Sequence, residues 1–136
     1  MAVAVAMGYV GQNQGSFSPQ RDAAATEAQR TYALFMHLAG LLGFVSVPVV
    51  PTLIMWAIKK GESPYLDDHG REAMNAQLSY IIYALGLGAL APITCGITIP
   101  LLIALPVAAI IFTIVAATRA NRGEYHRYPI TLRMIH

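Results

Sequence analysis

Hydrophobic positions along this chain fall into two long stretches that contain no lysine, arginine, aspartate or glutamate, residues 31–58 and 74–118. Between them lies a connector, residues 59–73, which holds seven of the chain's formal charges, against nine basic and seven acidic residues in all. Apolar stretches of this length are typical of segments embedded in a lipid bilayer, and a charged connector is typical of a loop in water. The pattern predicts an all-α membrane protein with a charged connector between its membrane segments.

The length of each stretch sets the number of membrane passes. At about 1.5 Å per residue, the first stretch reaches roughly 42 Å, whereas a bilayer core is about 30 Å thick. One pass, kinked where Pro48 and Pro51 remove backbone donors, fits this length. A helix followed by a short re-entrant half-helix is the alternative. The second stretch reaches about 67 Å and needs two passes, near residues 68–91 and 99–120, joined by a turn at 92–100. We therefore expect a bundle of three transmembrane helices, the first proline-kinked, with a re-entrant fourth helix as the alternative.

The first helix is predicted to begin at Thr26, whose hydroxyl can cap open backbone amides, with Glu27 at the positive end of the helix dipole. Residues 1–25 are rich in Ala, Gly, Gln and Ser and show no sustained period. They are predicted to form a flexible or partner-bound tail. The helical transmembrane domain is expected to comprise residues 26–136.

Basic residues set the predicted orientation. The turn at residues 92–100 has no basic residue, whereas the connector and the C-terminal segment carry Lys59, Lys60, Arg71, Arg119, Arg122, Arg127 and Arg133. Because cytoplasmic loops carry an excess of Lys and Arg, the connector 59–73 and the C-terminus are expected on the cytoplasmic side of a bacterial inner membrane. The side of the N-terminus depends on whether the first stretch crosses once or returns.

Composition supports this class of protein. The chain is 56% hydrophobic and 12% charged, whereas soluble domains are about 25% charged. A net charge of +2 is too weak to indicate nucleic-acid binding. Cys95 is the only cysteine, so no disulfide framework can form. The expected partners are the lipid bilayer and other integral membrane subunits, with no nucleic acid and no cofactor.

The connector contains two carboxylates followed by an imidazole, Asp67, Asp68 and His69, which are candidate metal ligands. A structural interpretation is favoured, in which Asp67 or Asp68 caps the following helix, Glu72 lies in its positive first turn and Arg71 pairs locally. No second His or Cys cluster completes a coordination shell.

A polar stripe follows along the second transmembrane helix. Its members recur at spacings of four, three, four and four, and therefore share one helical face: Asp68, Glu72, Asn75, Ser79 and Tyr83. Asn75, Gln77 and Ser79 enter the predicted membrane region, where polar groups face protein or a water-filled cavity. Hydrogen bonding between helices is the favoured interpretation, and the wall of a path for ions, protons or peptide is the alternative.

The C-terminal segment carries further charge and lies on the same side as the connector. We expect Arg122 or Arg127 to pair with a connector carboxylate. The alternating apolar residues Ile130, Leu132 and Met134 predict a short extended or surface segment. The structural polar cluster predicted at this end of the protein comprises Asp67, Asp68, Arg71, Glu72, Asn75, Gln77, Ser79, Arg122, Glu124 and Arg127.

His37 is isolated within the first apolar stretch. A histidine whose hydrogen bonds are satisfied inside the bundle is the favoured interpretation. Were the protein part of a pigment complex, His37 would be the candidate chlorophyll ligand.

Three segments carry a family resemblance: residues 37–44 (HLAGLLGF), 56–77 (WAIKKGESPYLDDHGREAMNAQ) and 120–129 (ANRGEYHRYP). They resemble a family of small bacterial and archaeal membrane proteins of unknown function. That family is grouped with the channel-associated subunit of the chloroplast inner-envelope import translocon (Tic-twenty-like). The resemblance covers about residues 32–135 and implies a helical bundle of three or four passes.

The sequence shows no nucleophile–base pair, phosphate-binding loop or complete metal set, so a non-catalytic protein is expected. The first functional hypothesis is a structural or accessory subunit that stabilises a larger membrane complex of respiratory or photosynthetic type. The alternative is a translocon-like or ion-conducting component that uses the polar face of the second transmembrane helix.

Overall fold

A computed structural model describes residues 20–136. Within that range the chain forms four helices and no strand: α1 (Glu27–Leu42), α2 (Val50–Lys59), α3 (Pro64–Ile93) and α4 (Ile99–Asn121). The predicted all-helical class is therefore confirmed over the described range. Of the predicted tail, residues 1–25, only residues 20–25 belong to the described range, and residues 1–19 lie outside it.

Helix α1 begins where the sequence predicts. The Thr26 hydroxyl accepts a hydrogen bond from the Gln29 amide, and the Gln29 side chain accepts one from the Thr26 amide. This reciprocal capping box satisfies two of the amides that a helix start leaves open.

The first apolar stretch forms two helices, α1 and α2, in place of one proline-kinked helix. They run antiparallel, because the Tyr32 hydroxyl donates to the Met55 carbonyl over 2.8 Å and Thr52 donates to the Met36 carbonyl over 3.4 Å. The chain reverses at residues 43–49, just before Pro51 in the first turn of α2. Proline at that position costs α2 no hydrogen bond, but it prevents α1 from continuing. At ten residues, α2 rises about 15 Å, half the thickness of a bilayer core.

Helix α3 begins four residues before the predicted start. Its cap is Ser63, whose hydroxyl accepts from the Leu66 amide over 3.2 Å, and Pro64 occupies the first helical position. The expectation that Asp67 or Asp68 caps this helix is wrong, because both lie inside it. Helix α4 matches its predicted bounds within one residue. Helices α3 and α4 are each long and apolar enough to cross a membrane.

The protein core lies at the end of the bundle where α3 begins. It is formed by side chains from α1, α3 and α4 that are fully or almost fully buried: Ala33, Met36, Tyr65, Leu66 and Ala120, with Ala25. Farther along, α3 and α4 expose large apolar side chains, including Leu85, Ile93 and Ile103. A wide exposed apolar surface beside a small core is typical of helices surrounded by lipid.

The residues before α1 pair with those after α4. Arg21 and Glu124 form an isolated antiparallel bridge, the Asp22 amide donates to the Gly123 carbonyl over 2.8 Å, and the Tyr125 amide donates to the Gln20 carbonyl over 2.9 Å. The described part of the predicted tail, residues 20–25, therefore lies against the C-terminal segment.

Candidate functional site

The polar end of the bundle, where α3 begins and residues 122–136 return to it, collects most of the residues that the sequence singles out. Asp67 accepts from the Trp56 indole over 2.9 Å and forms an ion pair with Arg71 one turn along. Asp68 forms a two-bond ion pair with Arg127, at 2.7 and 2.6 Å. Paired fork-to-fork bonds of this kind fix geometry as well as charge. They place the segment after α4 against the start of α3.

Glu72 occupies the centre of this end and is almost fully buried. It accepts from the Tyr128 amide over 2.6 Å, and the guanidinium groups of Arg127 and Arg133 lie 3.9 and 4.0 Å from its second oxygen. Glu124 is likewise buried and pairs with Arg21 over 3.0 Å. Burial of a carboxylate is costly unless it is paired and hydrogen-bonded, and both residues meet that condition.

The predicted metal candidates Asp67, Asp68 and His69 are neighbours in sequence but are directed to separate partners. The two carboxylates face arginines, and His69 faces the interior. Across residues 20–136, no group of three His, Cys, Asp or Glu side chains could hold a metal ion. Arg122, the alternative to Arg127 for pairing with a connector carboxylate, forms no ion pair within the same range.

Three buried histidines and their tyrosine neighbours form a cluster that joins α1, α3 and the C-terminal segment. His37 Nε2 lies 2.9 Å from His69 Nδ1, and His37 Nδ1 lies 3.1 Å from the Tyr128 hydroxyl. The His126 ring packs edge-on against Tyr128, with ring centroids 5.0 Å apart. Both ring nitrogens of His37 are thus engaged by side chains of the described chain.

His126 is held in its neutral form. Burial, with the nearby positive charges of Arg119 and Arg127, lowers its pKa to about 4. Arg119 Nη1 lies 3.4 Å from His126 Nδ1, and an arginine can only donate in such a contact. The opposite nitrogen, Nε2, is buried and has no hydrogen-bond partner within the described chain. Burial likewise raises the pKa of the Tyr128 hydroxyl, so this residue stays protonated.

The polar stripe of α3 binds the end of the chain. We call residues 130–136 the C-terminal strap. Asn75 Oδ1 accepts from the Met134 and Ile135 amides over 3.1 and 2.8 Å, and Asn75 Nδ2 donates to the Ile135 carbonyl over 2.9 Å. Ser79 accepts from the Leu132 amide over 2.8 Å. Tyr83 donates to the Ile130 carbonyl over 2.6 Å.

The strap docks on α3 because the spacing of the polar side chains along the helix equals the spacing of the strap residues that they bind. Asn75, Ser79 and Tyr83 are four residues apart on a helix, which amounts to about 6 Å of rise each time. The strap residues that they bind are about two apart, and two residues of extended chain advance about 6.6 Å. The predicted stripe is therefore present, but its partner is the backbone of the strap, where a neighbouring helix was expected.

Gln77 does not share the stripe. Its amide donates to the Thr52 hydroxyl over 2.6 Å and so ties α3 to α2. An unexpected close approach reinforces the same junction: a Cβ atom added at Gly70 would lie 2.1 Å from Trp56 Cδ1. The indole ring thus lies over a position on α3 where only glycine leaves room.

The fold and site together define a small helical membrane protein whose C-terminal strap is bound along α3. The chain belongs to the MamF/MmsF family, the magnetosome magnetite crystal formation protein family, whose model matches residues 28–135. No curated protein and no solved structure matches the chain. The family match supports the expected small bacterial membrane protein, but these comparisons show no similarity to the import translocon.

Proposed function

We propose that this chain is a non-catalytic subunit of the magnetosome membrane that acts in magnetite crystal formation by stabilising an assembly of membrane proteins. The observation that carries the proposal is the family match over residues 28–135. That range contains the four helices of the described chain, apart from Glu27 at the start of α1, and the strap apart from His136. The assembly that we propose is therefore one of the magnetosome membrane, whereas the sequence analysis expected a respiratory or photosynthetic complex.

The distribution of carboxylates favours a structural role over direct binding of iron or mineral. Hard cations and mineral surfaces require carboxylate oxygens that are free to coordinate. At the polar end, Asp67, Asp68, Glu72 and Glu124 are each engaged by an arginine of the same chain. A cation would have to displace these arginines before it could bind.

The strap favours the same role over a path for solutes. The polar stripe of α3 was the candidate wall of such a path. Its residues Asn75, Ser79 and Tyr83 instead form hydrogen bonds with the backbone of the strap. We infer that the connector and the strap lie on the cytoplasmic side of a membrane that derives from the inner membrane, because cytoplasmic loops carry an excess of Lys and Arg. The ion pair between Arg127 and Asp68 supports that inference, because it holds the segment that precedes the strap against the connector end of α3.

Deletion of the gene in a magnetite-forming bacterium tests the proposal. We expect crystals of altered size or number by electron microscopy, restored by the wild-type gene and not by a frame-shifted copy. Purification in mild detergent from magnetosome membranes is expected to recover other membrane proteins with the chain. Unchanged crystals in the deletion strain would refute the role in crystal formation. Recovery of a lone monomer would refute the structural role.

A further inference from the structure

The C-terminal segment runs along α3 toward the apolar end of the bundle and then turns back. The Tyr128 amide donates to Glu72, and two residues later the Ile130 carbonyl accepts from the Tyr83 hydroxyl, about three helical turns farther along α3. The strap then returns along the same helix and ends bonded to Asn75, less than one turn from Glu72. Residues 128–135 therefore form a re-entrant loop whose tip is Ile130.

The lengths of α3 and α4 fix where the bilayer core begins. Glu72 is the last charged residue of α3, and the helix continues for about 32 Å beyond it, to Ile93. Arg119 is the first charged residue of α4, and the helix extends for about 30 Å before it, from Ile99. A bilayer core is about 30 Å thick, so each uncharged run is just long enough to cross it. The core therefore begins at the level of Glu72 and Arg119.

This boundary places most of the strap inside the core. The Leu132 amide donates to Ser79, which lies about 10 Å beyond Glu72 along α3. Ile130, bonded one turn farther along the helix, lies deeper. The charged residue of the strap, Arg133, directs its guanidinium back to the boundary, 4.0 Å from Glu72. A charged side chain near a membrane boundary reaches toward water in this way.

The polar stripe of α3 accounts for an irregular backbone at this depth. Non-helical chain is tolerated within a bilayer core only where protein satisfies its backbone groups. Asn75, Ser79 and Tyr83 bond to backbone groups of residues 130, 132, 134 and 135. The stripe therefore supplies hydrogen bonds that water would supply outside the membrane.

The outward side chains of the strap are apolar and large. Ile130, Leu132 and Met134 are 84, 43 and 45% exposed. Interfaces between membrane helices are enriched in small residues, which let two backbones approach closely. The size and depth of these three side chains therefore fit the acyl chains of lipid in preference to a second helix.

We propose that the strap is a re-entrant membrane segment whose tip, Ile130, contacts the acyl chains of the leaflet next to the polar end. The proposal rests on the lengths of α3 and α4, which are long and apolar enough to cross a membrane, and not on the role in crystal formation.

Quenching of a fluorophore by lipid tests the depth of the tip. The variants Ile130→Cys, Gly61→Cys and Leu85→Cys are made in the full chain with Cys95→Ser, labelled with nitrobenzoxadiazole and reconstituted in phosphatidylcholine vesicles. Gly61→Cys is the aqueous control, because position 61 is exposed in the connector. Leu85→Cys is the lipid control, because Leu85 is 69% exposed on the apolar part of α3.

We expect a nitroxide on the phospholipid acyl chain to quench Ile130→Cys within twofold of Leu85→Cys and at least threefold more than Gly61→Cys. Iodide on both sides of the vesicles should give the reverse order. Quenching of Ile130→Cys by iodide as strong as that of Gly61→Cys would place the strap in water and overturn the proposal. Quenching by neither agent would mean that protein covers the tip, which would also overturn it. Leu132→Cys replaces Ile130→Cys if circular dichroism shows that variant to be misfolded.

Discussion

Arg127 and Asp68, 59 residues apart in sequence, are joined by two hydrogen bonds of 2.7 and 2.6 Å. Hydrogen bonding to the Asp68 carboxylate, together with that negative charge, raises the pKa of Arg127 despite its partial burial. The pair links the segment after α4 to the first turns of α3. It lies just before the strap, so it sets where the strap starts along the polar stripe.

Loss of this pair is expected to reduce stability modestly. About half of the Arg127 side chain is exposed, so we expect Arg127→Gln and Asp68→Asn each to cost about 1 kcal/mol and the double variant little more than either. Thermal unfolding in detergent micelles measures these differences. Arg122→Gln, which removes a guanidinium that forms no ion pair within the described chain, is the control and should be neutral. Strictly additive losses would show that the two side chains do not interact.

Removal of the Asn75 side chain is expected to release the strap. Asn75→Ala deletes three hydrogen bonds to residues 134 and 135, each worth about 1 kcal/mol, so trypsin should cleave after Arg133 at least tenfold faster. Gln77→Ala, two residues along the same helix, removes a polar side chain that contacts α2 and should leave cleavage unchanged. Equal rates of cleavage in the wild type and Asn75→Ala would contradict the docking of the strap.

The contact between Gly70 and Trp56 predicts a large effect from a single methyl group. Gly70→Ala would place a Cβ 2.1 Å from the indole ring, and the resulting displacement is expected to cost about 1–3 kcal/mol. Gly61→Ala is the matched control, because a Cβ there meets nothing within 4 Å and should change stability by less than about 0.5 kcal/mol. Chemical denaturation in micelles compares the two. A neutral Gly70→Ala would mean that the ring does not lie over this position.

Buried His126 predicts loss of stability in acid. Its pKa is about 4 in the folded chain and 6.5 when exposed, so below pH 6.5 the unfolded state binds a proton that the folded state does not. Stability should therefore fall from pH 6.5 to about 4, with a contribution on the order of 3 kcal/mol from this residue. His126→Phe should reduce the slope of melting temperature against pH. His136→Phe, at an exposed position, should keep the wild-type slope.

The sequence predicted the features that depend on local pattern. The cap at Thr26, the bounds of α4 and the shared face of Asn75, Ser79 and Tyr83 follow from capping chemistry and helical period, and the structure contains all three. The cap of α3 was missed because Asp67 and Asp68 offered a stronger capping signal than Ser63, although Ser63 precedes a proline, which is typical of a helix start.

Contacts between distant segments could not be predicted in the same way. The bond between His37 and His69 and the packing of Trp56 on Gly70 each depend on how α1 and α2 fold back, and the length of the first stretch allowed both one pass and a hairpin. A signal was present in two places. An isolated polar residue in an apolar stretch requires a partner, and His37 was such a residue. The second signal is the spacing of Ile130, Leu132 and Met134, two residues apart in the strap, which equals in length the four-residue spacing of Asn75, Ser79 and Tyr83 on a helix.

Because the hairpin of α1 and α2 is shorter than α3, the cross-section of the helical bundle is larger at one end than at the other. The hairpin reaches α3 at Gln77 and Tyr80, through Thr52 and Phe44, and beyond Tyr83, where the strap begins, α3 and α4 continue as a pair. A body that is broad at one end and slender at the other displaces more lipid from one leaflet than from the other. Such a wedge lowers its free energy where the bilayer bends, so the chain should accumulate in small, highly curved vesicles over large, flat ones, a ratio that flotation of mixed liposomes can measure.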